Sequence, residues 1–244
     1  MSKPKRFSKK RALELPEQFG ARADSIRFIL ASKSPARLKL LREAGLNPEV
    51  LVSAVDEDAV IGSMPAEFVR DAVSEVALLA GAKARAVLDK FVKNNYNSSD
   101  EDILILGLDS LYEFQGNIWG KPHEKLIAIE RIKQMSGESG QLHTGHHAIL
   151  ARTHSRGVVE RHEVTSTQIN FAHICQEEIE AYVNTTEPLE VAGSFTIDSL
   201  GSAFIESISG DYHSVVGASP HTLRKLTQQL GLNYTALWNS RAAE

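Results

Sequence analysis

Residues 27–45 read RFILASKSPARLKLLREAG, an apolar run that passes directly into a helix-start signal. The run RFILAS is short and apolar, as a buried strand requires, and Ser34 followed by Pro35 opens a helix from Pro35 to Ala44. Leu38 and Leu41 fall on one face of that helix, and Gly45 closes it. A strand feeding a helix across a short polar turn is the first unit of an α/β layer. The turn also poses a question of charge. A helix start carries a partial positive charge, yet Lys33 and Arg37 lie in the same turn. Free N–H groups, the Ser32 and Ser34 hydroxyls and the two cations would suit an anion of the phosphate type. Alternatively, both cations point into water and Ser34 only caps the helix; spacing leaves the two readings open.

The pattern continues outward on both sides. EVLVSAV (49–55) reads as a second strand and Ala66 to Val92 as a long helix, while ILILGLD (103–109) is the strongest buried-strand signal, ending at Asp109. LYEFQGNIWG alternates around Gln115, Gly116 and Asn117, which predicts a hairpin, and a helix from about Glu124 to Met135 follows, closed by Gly137. The second half is richer in strands, LHTGHHAILAR, VERHEVTSTQINFA and SAFIESI, with helices at Gln176 to Val183 and Pro220 to Leu230. KNNYNSSDED (93–102) reads as a polar surface loop. The fold class is therefore α/β: a mixed twisted sheet with helices flanking it, arranged in two lobes around a cleft.

Composition narrows the function classes. The 244 residues are 42% hydrophobic and 24% charged, ordinary for a globular chain, and Cys175 is the single cysteine, which excludes an intrachain disulfide and suits a reducing cytoplasm. Its acidic neighbours in HICQEEIEAY would raise a thiol pKa, so a nucleophilic role is disfavoured. No apolar run reaches the roughly 20 residues of a membrane span. Residues 1–11 hold six of the 27 Lys and Arg and no acid, leaving 21 basic against 31 acidic residues in the rest. Residues 1–25 thus read as a basic, disordered arm and 26–244 as one catalytic domain. An acidic body makes nucleic acid an unexpected partner.

Three features could carry chemistry besides the first turn. The apolar stripe of the long helix runs through Val69, Val73, Val76, Ala80 and Val87, and Lys83 falls on it; such a lysine either snorkels at the stripe's edge or meets an anion. Asp109 ends a central strand, and Asp56, Glu57 and Asp58 follow another. One carboxylate from each place could hold Mg2+ or Mn2+, which takes one or two protein carboxylates plus phosphate oxygens and water. His143, His146 and His147 in HTGHH resemble a metal set, but on a strand His146 faces away from the other two.

In order, ILASKSPARLKLLREAG, VDED, AGAKARAV, LGLDS, GKP (120–122), the SG and TG pairs within 136–145, and EPLEVAGSFTIDSLGSAFIESISGDYHSVVGASP resemble the Maf family of nucleoside triphosphate pyrophosphatases, from about residue 28 to 232. The resemblance implies a cytoplasmic, homodimeric α/β enzyme with a deep cleft, similar in fold to inosine triphosphate pyrophosphatases. Such enzymes hydrolyse a nucleoside triphosphate between its α and β phosphates, with a divalent metal, to the monophosphate and pyrophosphate. It implies phosphate-binding roles for Ser32, Arg37, Lys83 and Lys121, a metal-side role for Glu57, and metal and proton-acceptor roles for Asp109. Three positions depart from the family pattern: Ala36 stands where a first arginine is common, Ser110 follows Asp109 in place of threonine, and Asp198 replaces a glutamine. SPARLKLLREAG is similar to the actinobacterial-type members. Asp198 either accepts hydrogen bonds from a base edge or sits on a surface turn. A non-catalytic nucleotide-binding regulator of septum formation is the alternative function.

Overall fold

The structure is a computed structural model that describes residues 26–64, 71–93, 101–152 and 157–238. A seven-stranded mixed sheet runs β2 (Glu49–Val50), β1 (Ile26–Leu30), β3 (Asp102–Phe114), β5 (Ser139–Arg152), β6 (Gly157–Phe171) and β7 (Ile205–Ser209), with β4 (Asn117–Trp119) paired to the far end of β3. β1 is parallel to both β2 and β3; every other pairing is antiparallel. The helices are α1 (Pro35–Glu43), α2 (Glu57–Gly62), α3 (Ala72–Lys93), α4 (Lys125–Met135), α5 (Gln176–Asn184), α6 (Tyr212–Val216) and α7 (Pro220–Gln229). Among the described residues no helix is long and apolar enough to cross a membrane.

The period of two along β3 organises the core. Its even positions Leu104, Leu106 and Leu108 pack beneath α1 and α7 in one hydrophobic cluster, while Tyr112 and Phe114 belong to a second cluster with α4 and α5. Ser110 lies between them, at the seam. The odd positions Ile103 and Ile105 face α3 with Ile29, Val87 and Ile149. Full burial of a Leu or Ile contributes about 1.5–3 kcal/mol. Polar residues in the seam forgo that gain and need hydrogen-bond partners instead.

α3 lies unusually close to the sheet. A Cβ on Gly107 would come within 2.1 Å of the Ala80 carbonyl oxygen, and one on Gly145 within 2.3 Å of that of Val76. These two glycines let the helix backbone settle onto β3 and β5, which brings Lys83 over Asp109.

The hairpin forms as the sequence implies, Gln115 and Gly116 both taking positive φ between β3 and β4. Other expectations are corrected. EVLVSAV pairs only at Glu49–Val50, because β1 ends at Leu30 and offers no ladder further on. β3 does not stop at Asp109 but runs to Phe114, since β4 pairs with its continuation. Leu200–Phe204 is a 3-10 turn, and only Ile205 onward joins the sheet. The long helix begins at Ala72, with Asp71 Oδ1 accepting from Ser74 N–H at 2.8 Å. Val73 is exposed rather than part of the apolar stripe. The basic arm, Val69 and most of the 93–102 loop lie outside the described residues.

Candidate functional site

β1 pairs with β3 only as far as Leu30 opposite Leu106, and the pairing of β3 with β4 starts only at Tyr112, opposite Trp119 at the end of β4. Between these contacts Gly107 to Leu111 borders β5 on one side and no described strand on the other. Asp109 and Ser110 therefore sit at an open edge in mid-strand, on opposite faces of the sheet. The position matters chemically because side chains from both faces, and from the turn after β1, can meet there.

On the α3 face, Lys83 Nζ lies 2.5 Å from Asp109 Oδ1 and 2.7 Å from Glu57 Oε1. The lysine thus meets anions; it does not snorkel. Glu57 is brought in because Asp56 caps α2, accepting from Ala59 N–H at 3.0 Å, and Glu57 is the first helical residue after it. Two carboxylates around one ammonium leave a net negative balance. Asp109 is buried, and that burial pushes its carboxyl pKa up despite the opposing pull of Lys83 and Arg37.

On the other face, Arg37 leaves the first turn of α1 and reaches back into the sheet. It donates to Ser32 Oγ (3.1 Å), the Leu108 carbonyl (3.0 Å) and Ser110 Oγ (2.9 Å). All three acceptors are neutral. Burial lowers the Arg37 pKa, with Asp109 and Glu57 pulling the other way. Ser34 caps α1 by accepting from Arg37 N–H, and Ser32 Oγ also accepts from Ser34 N–H at 3.3 Å. The charge question of the first turn is resolved unequally, since Lys33 is exposed while Arg37 is drawn inward.

The structure therefore brings together Ser32, Arg37, Glu57, Lys83 and Asp109. Lys121 and Asp198 are not joined to them by any hydrogen bond or ion pair among the described residues. Lys121 pairs with Glu190 at 3.6 Å, and Asp198 is exposed in the turn before Leu200. The three histidines are structural neighbours of other elements: His143 Nδ1 lies 2.8 Å from Ser166 Oγ, His147 Nε2 lies 2.8 Å from Glu160 Oε2, and His146 Nε2 accepts from Ser219 N–H at 2.8 Å. Among the described residues no group of three or more His, Cys, Asp or Glu could hold a metal. Glu57 and Asp109 are the two carboxylates gathered here, and both are paired with the Lys83 ammonium.

The family model described as Maf-like protein matches residues 27–230. The chain belongs to the Maf-like family. It is 44% identical over 215 residues to a protein of Salinispora tropica (88% of each chain) and 44% identical over 220 residues to one of Leifsonia xyli subsp. xyli (88% of this chain, 97% of that one). A protein of Rhodococcus opacus is 41% identical over 211 residues, covering 86% and 95% of the two chains. All three are named nucleoside triphosphate pyrophosphatase.

In this Maf-like chain the loop that carries Asp198 is organised by a residue to which no local pattern in the sequence gives a role. Glu187 accepts from Tyr182 Oη, Thr196 Oγ1, Ser199 Oγ and the N–H groups of Leu200 and Gly201. Five donors from scattered positions converge on one carboxylate, which only the folded chain reveals. Thr144 and Ser214, behind Ser110, lie in the TG and GDYHSVVGASP segments of the resemblance, but no local pattern gave either a role, because a threonine in a strand or a serine in a helix is ordinary there.

Proposed function

We propose that the chain hydrolyses a nucleoside triphosphate between its α and β phosphates, releasing the nucleoside monophosphate and pyrophosphate, with Mg2+ or Mn2+ bound. The observation that carries this reading is the division of charge at the open edge of β3. A guanidinium with only neutral acceptors lies across the strand from a lysine shared by two carboxylates. The first half favours an anion and the second a cation, which is the demand of a metal-bound polyphosphate. The names of the relatives support the same reading.

Arg37, Ser32 and Lys83 bind phosphate oxygens, and the donors of Arg37 are already aligned by the sheet. Asp109 orients the attacking water and takes its proton; a carboxylate with a raised pKa is the better acceptor. Glu57 and Asp109 would hold the divalent cation, which would supply neutralisation of charge on the polyphosphate. One water is consumed, the bond from the α phosphorus to its bridging oxygen breaks, and pyrophosphate leaves. Lys121 is assigned to the triphosphate and Asp198 to the base edge on the family resemblance. The reading also carries a cytoplasmic homodimer, to be checked by sedimentation.

The test is pyrophosphate release across a panel of UTP, CTP, dTTP, GTP, ITP and methylated nucleotides with Mg2+, Mn2+ or Co2+. Release from one or a few nucleotides, lost with chelator, is expected. Silence across the panel from folded protein overturns the enzymatic reading in favour of a nucleotide-binding regulator.

A further inference from the structure

The acceptor that holds the outer nitrogen of Arg37 is itself held from within the sheet. Ser110 Oγ lies 2.9 Å from Thr144 Oγ1, and Thr144 Oγ1 lies 2.7 Å from the Ser214 carbonyl oxygen. Thr144 is completely buried. These distances fix the direction of every proton. A carbonyl can only accept, so the single hydroxyl proton of Thr144 goes to Ser214. Thr144 then has only lone pairs to offer Ser110, so Ser110 donates to Thr144. With its proton committed, Ser110 presents lone pairs to Arg37 Nη2, which donates at 2.9 Å.

The far end of this chain is anchored as well. Asp211 N–H donates to Thr167 Oγ1 on β6 at 3.0 Å, and Thr167 Oγ1 lies 3.0 Å from Ser214 Oγ. Asp211 Oδ1 in turn accepts from the N–H groups of His213 and Ser214 at the start of α6. The Ser214 carbonyl is thereby fixed relative to the sheet. We propose that Thr144 is a positioning residue for anion binding: through Ser110 it fixes the guanidinium of Arg37 in the orientation that receives a phosphate group. The proposal rests on the assignment of Arg37 to the polyphosphate.

A valine at position 144 keeps the shape and removes the hydroxyl; a serine keeps the hydroxyl and removes the methyl. The probe is inorganic tripolyphosphate, titrated calorimetrically into the full chain, with thermal melting of each variant followed alongside. Thr144→Val is expected to weaken binding roughly tenfold, within the range that misplacement of a binding group costs. Thr144→Ser should restore affinity to within about twofold, and Thr144→Val should cost almost nothing more once Arg37→Ala is present. That last coupling is a readout a merely structural role would not produce. If the Thr144→Val loss persists undiminished beside Arg37→Ala, if serine fails to restore affinity, or if Arg37→Ala leaves binding unchanged, the proposal is overturned. Should Thr144→Val not fold, Ser110→Ala severs the same chain while leaving the Thr144 to Ser214 bond intact, and the same coupling is read from it. Pyrophosphate release is measured in parallel. Coupled loss of tripolyphosphate binding in a protein that turns over no nucleotide sustains the positioning role while the enzymatic reading fails.

Discussion

Asp109 and Ser110 are adjacent in sequence, yet the pleat sends them into two differently built halves of one site. On the α3 side the protein brings charge to charge: Glu57, Lys83 and Asp109 neutralise one another in part and keep a negative excess. On the α1 side a single cation is surrounded by hydroxyls and a carbonyl, and the groups behind it, Thr144 and His146, are buried and uncharged in their hydrogen-bond roles. The difference teaches how a strand can serve two partners of opposite sign within one residue's rise. The two faces carry different electrostatics, which under the proposed function would suit an anion on one side and a cation on the other, and the backbone between them sets the spacing.

The largest expected effect comes from removing charge on the first side. Asp109→Asn is expected to lower kcat by about 10³-fold or more while nucleotide binding stays measurable, because general-base assistance contributes roughly 10²–10⁴ and the anion-receiving half is untouched. The melting temperature should stay close to wild type. Burial already disfavours the ionised form of Asp109, and Lys83 keeps Glu57 as a partner. Near-normal turnover in this variant would remove the assignment of Asp109. Loss of binding together with turnover would break the division between the halves.

Acid should act on the second side instead. His146 is buried with Nε2 accepting from Ser219 N–H, so Nδ1, 3.1 Å from the Thr144 carbonyl, carries the proton of a neutral ring. Burial holds its pKa down to about 4 from an ordinary 6.5, with Arg37 adding to the lowering and the Thr144 carbonyl, Asp211 and Glu163 opposing it. The unfolded chain takes up this proton as pH falls through 6.5 while the folded chain does so only near 4. Stability from this group is complete above the unfolded value and declines as pH falls towards the folded one, by about 3 kcal/mol in all. Denaturant midpoints between pH 7 and pH 4 should fall more steeply in wild type than in His146→Asn. Equal slopes would mean that this half does not depend on excluding charge.

These contrasts were only partly legible in the sequence. Arg37, Lys83, Glu57 and Asp109 stood out because each breaks a local pattern: a cation at a positive helix end, a lysine on an apolar stripe, acids at strand boundaries. The layer order and the hairpin at Gln115 and Gly116 were readable for the same reason, since periodicity and turn chemistry are local. Where β3 ends was not, because its extension to Phe114 depends on pairing with β4 and β5. Nor could the sequence show that Asp109 and Ser110 lie at an open edge, which follows from β1 stopping at Leu30. Thr144, Ser214 and Glu187 lie in segments that carry the family resemblance, yet no local pattern gives any of them a role, since their roles come from partners up to 70 residues away in the chain.

Gly217 allows the smallest and most selective perturbation of the comparison. It ends α6 at φ 117°, a backbone conformation that an L side chain rarely adopts, and a Cβ placed there would lie 2.7 Å from Arg37 Nε. Gly217→Ala therefore has two consequences of different kinds. Backbone strain should cost about 1–2 kcal/mol of stability, seen as a modest drop in melting temperature. The methyl should also press on the Arg37 stem, and because that side chain is flexible it will yield before the backbone does. Its three hydrogen bonds must then lengthen or break, so polyphosphate affinity should fall several-fold. The three atoms nearest that Cβ all belong to Arg37, on the α1 side, which predicts that saturating nucleotide restores most of the turnover rate. A fall in kcat at saturation, with affinity preserved, would mean that the two faces of β3 are mechanically coupled and that their separation is only electrostatic.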